Sequence, residues 1–139
     1  MIVKFFDLKK YLKDNINFYL LYGPNSGFIE ETINNILKPN LSTNIYNYDE
    51  NEILSNIDEF KEGIFSKSFF DEDKLIIINR ASDKILNVIE EIIDKNIKDL
   101  KIIIKSEILE KKSKLRKFFE NNKNVFIIPF YEDNYQSLA

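Results

Sequence analysis

Short apolar runs alternate with helix-like stripes along the whole chain. The runs are typical of strands buried on both faces of a sheet, and they predict strands at 18–22, 43–48, 74–79, 100–105 and 124–129. Between the runs, apolar residues recur at helical spacing, which predicts amphipathic helices. A repeated strand–helix order predicts an α/β fold, with a parallel sheet of about five strands and helices on both faces.

Capping residues and a proline predict where the helices begin and end. Pro39 is expected to end the first helix, because a proline disfavours helical backbone in the residue before it. Asp49 is expected to cap the second helix, and Ser82 or Asp83 the third, because short polar side chains accept hydrogen bonds from free N–H groups. The last helix is expected to carry its apolar side chains on one face. These are Ile108, Leu115, Phe118 and Phe119.

Composition narrows the possible chemistry. The chain of 139 residues is 44% hydrophobic and 31% charged, which predicts one globular domain over residues 1–139. It contains no cysteine and no histidine, which excludes disulfides, zinc sites, cysteine nucleophiles and histidine bases. The net charge of −3 gives no general attraction to nucleic acid or acidic lipid. No apolar run approaches the roughly 18 residues of a membrane span, and the charged start does not resemble a secretion signal, so we expect a cytoplasmic protein without a membrane partner.

Residues 18–32, FYLLYGPNSGFIEET, have the layout of a phosphate-binding loop: a strand, a glycine turn and a helix start. A working loop follows G-x-x-x-x-G-K-[ST], in which backbone N–H groups hold the phosphates, the lysine neutralises charge and the hydroxyl binds Mg²⁺. Here Gly27 comes one position early, and Phe28 follows it where a lysine is needed. Glu30 and Glu31 are expected at the helix start, where they would repel a triphosphate. We therefore interpret the loop as a degenerate nucleotide loop, a tight turn that needs small residues. Its residues are Gly23, Pro24, Asn25 and Gly27.

The acid pair that would bind Mg²⁺ is also missing. Such a pair is expected at the end of a neighbouring apolar strand, but the strand 74–79 ends in Asn79 and is followed by Arg80. Asn79 and Arg80 are better explained as a strand-end turn than as a catalytic pair. Because two separate parts of a nucleotide site are absent, we expect no catalytic residue, cofactor or metal.

Three segments together resemble the delta subunit of the bacterial DNA polymerase III clamp loader. They are YLLYGPNSGFIEE at 19–31, SKSFFDEDKLIIINRASD at 66–83 and EKKSKLRKFFENNKNVFIIPFYEDN at 110–134. Each segment alone is weakly specific, but they occur in order over nearly the whole chain. The resemblance implies an AAA+-like first domain that keeps the P-loop fold without using ATP, which agrees with the loop analysis.

The resemblance also implies a role in DNA replication. It implies that the chain binds the ring-shaped sliding clamp, the beta subunit, and helps to open it for loading on primed DNA, so that contact with DNA is indirect. In the family, lid and collar domains follow the first domain and would begin after Tyr135. Their absence leads us to expect either a fragment or a shortened gene, and a monomer without the other loader subunits that a full-length protein would contact.

The resemblance implies that the clamp contact is made by the C-terminal end of the helix just before the third strand. Phe69 and Phe70 match the family's apolar pair, whereas Lys67 replaces a residue that is often apolar. Packing of both rings in the core is the alternative, and clamp contact is preferred because adjacent residues point about 100° apart and three acids follow at 71–73. The expected clamp-binding residues are Ile64, Phe65, Lys67, Ser68, Phe69 and Phe70.

A basic stretch precedes the last strand and is predicted to be helical. Its residues are Lys111, Lys112, Lys114, Arg116 and Lys117. It is either a patch that faces phosphates or a partner, or a solvated helix face opposite apolar residues. The solvated face is favoured, because no aromatic residues interleave with the lysines in a stacking pattern.

Two other functions stay open at this point. A small α/β nucleotide-binding enzyme with a divergent P-loop would bind a nucleotide despite the missing lysine. A simple interaction domain with an unrelated partner would bind neither nucleotide nor clamp.

Overall fold

The computed structural model describes residues 1–12, 16–41, 44–65, 73–97 and 99–130. Within these residues, β1 (Phe18–Tyr22), β2 (Ile45–Asp49), β3 (Lys74–Asn79), β4 (Leu100–Ser106) and β5 (Phe126–Pro129) form one sheet. Every neighbouring pair of strands is parallel, and the order is β2-β3-β4-β1-β5. The predicted α/β fold with a five-stranded parallel sheet is confirmed.

The helices lie between the strands and before β1. They are α1 (Leu8–Tyr11), α2 (Ser26–Thr32), α3 (Lys38–Leu41), α4 (Glu50–Ser55), α5 (Ile57–Phe65), α6 (Leu86–Lys95) and α7 (Lys114–Asn121). None of the helices in the described ranges is long and apolar enough to cross a membrane.

The sheet is covered on both faces, as predicted. On the first face, alternate strand residues pack against α4, α5, α6 and α7, with Ile53, Phe60, Ile89 and Phe119 among the buried helix residues. On the second face, the other strand residues pack against the N-terminal segment and α2. Side chains alternate across a strand, so one continuous apolar run serves both layers.

The N-terminal segment covers β5, which is an edge strand. The Val3 N–H donates to the Ile127 carbonyl at 2.9 Å, and the Ile127 N–H donates to the Met1 carbonyl at 3.0 Å. The Met1 amino group donates to three carbonyl oxygens near the end of α7, at 2.6 to 2.7 Å. Burial lowers the pKa of this amine, against the opposing effect of the Glu120 carboxylate.

Two predicted helix boundaries are wrong. Pro39 does not end a helix but lies inside α3, directly after a π-helical turn over Ile33–Leu37. A π turn widens the helix at the point where the proline ring would collide with the carbonyl four residues back, so the helix continues. The second predicted helix is divided into α4 and α5, because Asn56 leaves helical backbone at φ −142° and ψ 59°.

Ile108 was predicted on the apolar face of the last helix, and this is also wrong. α7 begins only at Lys114, and Ile108 lies in the preceding loop with 70% of its surface exposed. Helical periodicity could not reveal this, because the loop 107–113 contains residues that fit the same spacing by chance.

Phe118 and Phe119 provide a test of the packing of α7. Phe119 is fully buried against the sheet, whereas Phe118 is only partly buried at the edge of the same cluster. We expect Phe119→Ala to lower the free energy of unfolding by about 3–5 kcal/mol. Phe118→Ala should cost clearly less. Urea denaturation of both variants measures the difference, and equal losses would contradict the packing described.

Candidate functional site

The carboxyl ends of the strands form the edge at which open α/β sheets commonly bind ligands. The glycine turn after β1 lies at this edge, together with the ends of β2, β3 and β4. β1 lies between β4 and β5, and β3 is not its neighbour. The strand examined for an acid pair is therefore one position further from the glycine turn than expected.

Gly23 contacts the backbone of the residues that directly follow β4 and β5. Its N–H donates to the Glu107 carbonyl after β4 at 2.7 Å, and the Phe130 N–H after β5 donates to the Tyr22 carbonyl at 2.8 Å. Gly23 has φ 140°, and a Cβ atom there would lie 2.0 Å from the Phe130 carbonyl oxygen. Only glycine fits this position, because both the backbone angle and the space exclude a side chain.

The rest of the turn starts α2. The Asn25 side chain accepts a hydrogen bond from the Phe28 N–H at 3.0 Å and caps the helix. Gly27 lies within α2, and a Cβ atom there would meet only the Asn25 carboxamide oxygen at 3.8 Å. The expectation that Gly27 must be small is therefore wrong, whereas the structure requires glycine at Gly23.

Phe28 occupies the position at which a phosphate loop has its lysine, and it is a packing residue. Its ring is 4.9 Å from that of Phe5 and 5.3 Å from that of Phe130, both in edge-to-face geometry. Phe5 and Phe130 stack at 6.0 Å. Edge-to-face pairs add to the free energy gained by burial, so this aromatic cluster fixes α2 on the sheet.

The acids of α2 are not in its first turn, which corrects the prediction for Glu30 and Glu31. α2 begins at Ser26, and no acid lies in its first turn. Capping by Asn25 starts the helix earlier than the sequence suggested. Glu30 instead forms a salt bridge with Lys105 near the end of β4.

The ends of β2 and β3 are joined by polar contacts. The Asn79 carboxamide donates to the Tyr48 carbonyl at 3.1 Å, and the Arg80 guanidinium forms a salt bridge with the Asp49 carboxylate. Arg80 has φ 55°, in the left-handed region, where a non-glycine residue is strained. Asn79 and Arg80 form the predicted strand-end turn. Asp49 caps α4 as predicted, in a capping box with Glu52.

Two further carboxylates lie at this edge: Glu50, which the sequence analysis missed, and Asp83, which it named only as a possible cap of the third helix. Glu50 is buried and accepts hydrogen bonds from the N–H and hydroxyl of Ser82, at 2.5 and 2.7 Å. Asp83 accepts from the Ser113 hydroxyl at 2.5 Å and from the N–H groups of Lys114 and Leu115, each at 3.1 Å. Ser82 caps the turn before α6 as predicted, whereas Asp83 caps α7, a helix distant in sequence.

The pKa of Asp83 reflects this capping role. Burial raises the pKa of the Asp83 carboxyl, but the hydrogen bonds from Ser113, Leu115 and Lys114 outweigh burial and lower it below its usual value. A depressed folded-state pKa means that the ionised form stabilises the fold, and that this contribution is lost as the pH falls through that pKa. The carboxylates of Asp49, Glu50 and Asp83 thus accept hydrogen bonds from groups of the same chain.

The predicted clamp-binding residues are only partly described. Ile64 and Phe65 end α5 and are half-buried against the first-face core. The Lys95 ammonium lies 5.5 Å from the centre of the Phe65 ring. Lys67, Ser68, Phe69 and Phe70 lie outside the described residues, so their role stays a prediction.

The predicted basic stretch is divided by the structure. Arg116 is half-buried: its guanidinium donates to the Glu120 carboxylate at 3.0 Å and to the Leu109 carbonyl at 2.8 Å, and lies 5.3 Å from the Tyr22 ring. It is therefore a packing residue. Lys111 and Lys112 lie in the turn before α7 and not in a helix. All four lysines of the stretch are exposed.

Comparison with known proteins identifies a family and shows similarity to a solved structure. The sequence profile of the family described as DNA polymerase III, delta subunit, matches residues 19–128. Comparison with the curated proteins gives no match. Among solved structures, the chain is similar to the Bacillus subtilis DNA clamp loader delta protein (YqeN), with a TM-score of 0.68 and 20% sequence identity. The match covers 92% of this chain but only 42% of that protein, and at this identity it shows the fold.

The two glycines of the turn provide a matched test of its geometry. We expect Gly23→Ala to lower the free energy of unfolding by at least about 3 kcal/mol, because a backbone clash is added to a strained φ. Gly27→Ala should stay within about 1 kcal/mol of the parent chain or stabilise it, because alanine favours a helix. Thermal and urea unfolding measure both changes. A tolerated alanine at Gly23 would show that this turn is not held as described.

Proposed function

The chain belongs to the DNA polymerase III delta subunit family, and from this premise we propose that it binds the sliding clamp and helps to open it for loading on primed DNA. The observation that carries the proposal is the family match over residues 19–128, which spans most of the chain. The chain covers less than half of the clamp loader delta protein that it resembles. We therefore propose clamp opening, and assembly with other loader subunits, for the whole protein.

We propose that the chain has no ATPase activity of its own. Phe28 stands in place of the phosphate-binding lysine and packs between Phe5 and Phe130. A lysine at this position would have to leave an aromatic cluster to reach a phosphate. The nearest cation on the neighbouring strand, Lys105, is paired with Glu30. In this proposal the AAA+-like sheet acts as a rigid scaffold and not as a nucleotide site.

The clamp contact is proposed at the end of α5, with Phe69 and Phe70 as its anchors. Support comes from the packing of the described part of α5, in which Phe60 is buried and Ile64 and Phe65 lie against the first-face core. Lys61 forms a 2.8 Å salt bridge with Glu91 of α6, and one turn later Phe65 lies under Lys95 of the same helix. Residues four apart lie on one helix face, so the two contacts join α5 to α6 along one seam. A rigid support lowers the entropy cost of binding at its end.

The proposal also includes other loader subunits as partners. They would bind a full-length protein in which further domains follow this one. We also propose a cytoplasmic location, because bacterial DNA is replicated in the cytoplasm. Among the described residues of the carboxyl edge, no observation favours the alternative, a small nucleotide-binding enzyme, because the polar groups there bind one another.

The absence of ATP binding is tested by thermal unfolding. Millimolar ATP with Mg²⁺ should leave the melting temperature unchanged, because the lysine is replaced by a packed phenylalanine and the glycine turn is filled by backbone. Any ligand that binds only the folded state must raise the melting temperature. A clear upward shift with ATP would revive the alternative function.

The proposed anchors are tested with the sliding clamp of the same organism. We expect Phe69→Ala with Phe70→Ala to weaken clamp binding by at least about 30-fold, which is about 2 kcal/mol. Phe6→Ala serves as a control, because Phe6 is an exposed ring that contacts Phe5 of the second-face core. This control should bind the clamp like the parent chain in a calorimetric or surface-based titration.

Unfolding of the same variants separates the two interpretations of the rings. If Phe69 and Phe70 lie outside the core, the double variant should unfold at nearly the parent's urea midpoint. A loss of about 3–5 kcal/mol would identify them as core residues. A folded double variant that binds the clamp at full strength would show that the anchors lie elsewhere, and a parent chain that does not bind the clamp would refute the proposed function.

A further inference from the structure

The two edge strands of the sheet, β5 and β2, differ in how they are protected. At β5, the N-terminal segment covers the strand, because the Val3 N–H donates to the Ile127 carbonyl at 2.9 Å and the Ile127 N–H donates to the Met1 carbonyl at 3.0 Å. At β2, no strand of the described residues lies beyond the pairing with β3. We call the outward side of Ile45–Asp49 the β2 edge. An open edge of this kind is a template for another strand.

The backbone groups at the β2 edge follow from the pairing of β2 with β3. The Leu75 N–H donates to the Asn44 carbonyl at 2.8 Å. The N–H and C=O of one residue point to the same side of a strand, and the side alternates along the chain. Residues 44, 46 and 48 therefore face β3. The backbone groups of Ile45 and Asn47 face outward, where no strand of the described residues pairs with them.

The middle of β2 is uncovered on both faces of the sheet. Tyr48 packs against Phe60 in the first-face core, and Ile45 packs against the second-face core. Because side chains alternate along a strand, Tyr46 lies on the first face and Asn47 on the second. Both are exposed, so neither layer of helices covers the strand there. The strand IYNYD also contains no lysine and no proline, which natural edge strands use against pairing.

We propose that the β2 edge pairs with the β2 edge of a second copy of this chain, antiparallel and around a two-fold axis. Ile45 of each copy then lies opposite Asn47 of the other, and each of these two pairs exchanges two hydrogen bonds. Tyr46 lies opposite Tyr46, and an aromatic cross-strand pair stabilises such a ladder. The same residues contact one another in both copies, as a two-fold dimer requires. No charged side chain lies among the three paired residues, so like charges do not oppose the contact.

Asp49 decides between the two possible registers of this pairing. A register centred on Asn47 would pair Ile45 with Asp49 of the other copy. The Asp49 N–H, however, already donates to the Glu52 carboxylate at 3.0 Å, in the box that caps α4. The register centred on Tyr46 uses only the outward groups of Ile45 and Asn47, and leaves this cap intact. It is therefore the register we propose.

The dimer is expected to be weak, because three paired residues bury less than the roughly 1,000 Å² of a stable interface. Sedimentation equilibrium of the full 139-residue chain measures it. The average mass should rise from 16.5 kDa towards twice that value at chain concentrations of about 0.1 to 1 mM. At micromolar concentration the chain should be a monomer, which agrees with the state expected from the sequence.

Asn47→Pro removes an outward N–H from each copy and leaves the pairing with β3 in place. Proline is tolerated on an edge strand where its missing N–H would face solvent, and the extended residue before it is compatible with proline. We expect this variant to weaken the dimer at least about fivefold, because each copy loses a hydrogen-bond donor of the ladder. Circular dichroism shows whether the variant is folded.

Disulfide trapping tests the register directly, because the chain contains no cysteine. Tyr46→Cys would place the two Cα atoms of opposite residues about 4.5 Å apart, within the range of a disulfide. Asn47→Cys is the matched control: it is the next residue and is also exposed, but its two Cα atoms would be about 7–8 Å apart. Under mild oxidation, Tyr46→Cys should form linked dimers at least about tenfold faster than Asn47→Cys. Ile108→Cys, at an exposed site in the loop before α7, gives the rate of random collision.

Four results would overturn the proposal. They are a monomer at 1 mM chain, an unchanged dimer in a folded Asn47→Pro variant, linking of Tyr46→Cys no faster than that of Ile108→Cys, and faster linking of Asn47→Cys than of Tyr46→Cys. If Asn47→Pro does not fold, the mass of the parent chain and the three cysteine variants decide the question. No clamp, nucleotide or DNA is present in these assays, so their outcome is independent of the proposed function.

Discussion

The close approach of Phe130 to Gly23 is the constraint on which the carboxyl edge of the sheet depends. A Cβ atom at Gly23 would lie 2.0 Å from the Phe130 carbonyl oxygen, so the exits of β1 and β5 can meet only because this residue has no side chain. The meeting places the Phe130 ring against Phe28 and Phe5. The aromatic cluster then holds α2 where a nucleotide loop would otherwise present its phosphate-binding groups.

Carboxylates complete the same edge by binding groups from other strands and helices. Asp49 joins Arg80, Glu50 holds Ser82, and Asp83 caps α7. Each contact links segments about thirty residues apart. A buried or capping carboxylate needs donors to offset its desolvation, and here the chain supplies them itself. The polar groups at this edge therefore connect strands and helices.

A scaffold closed at this edge suits a protein that acts through its surface. The helices of the first face include α5, at whose end we propose the clamp contact. Asp83 joins α7 to the α6 start, and the Lys61–Glu91 pair connects α5 with α6. α6 and the turn before it thus contact both α5 and α7, and the sheet lies beneath all three helices.

The sequence by itself determined the α/β class, the parallel strands and the missing lysine, because apolar runs and residue identity are local properties. It also determined the caps at Asp49 and Ser82, whose partners lie within three residues. Only the tertiary structure decided the strand order, the burial of Glu50, the capping of α7 by Asp83 and the division of the basic stretch at Arg116. It also decided which glycine is obligatory. These features depend on groups far apart in sequence that the packed sheet brings within hydrogen-bond distance, and local periodicity carries no information about such meetings.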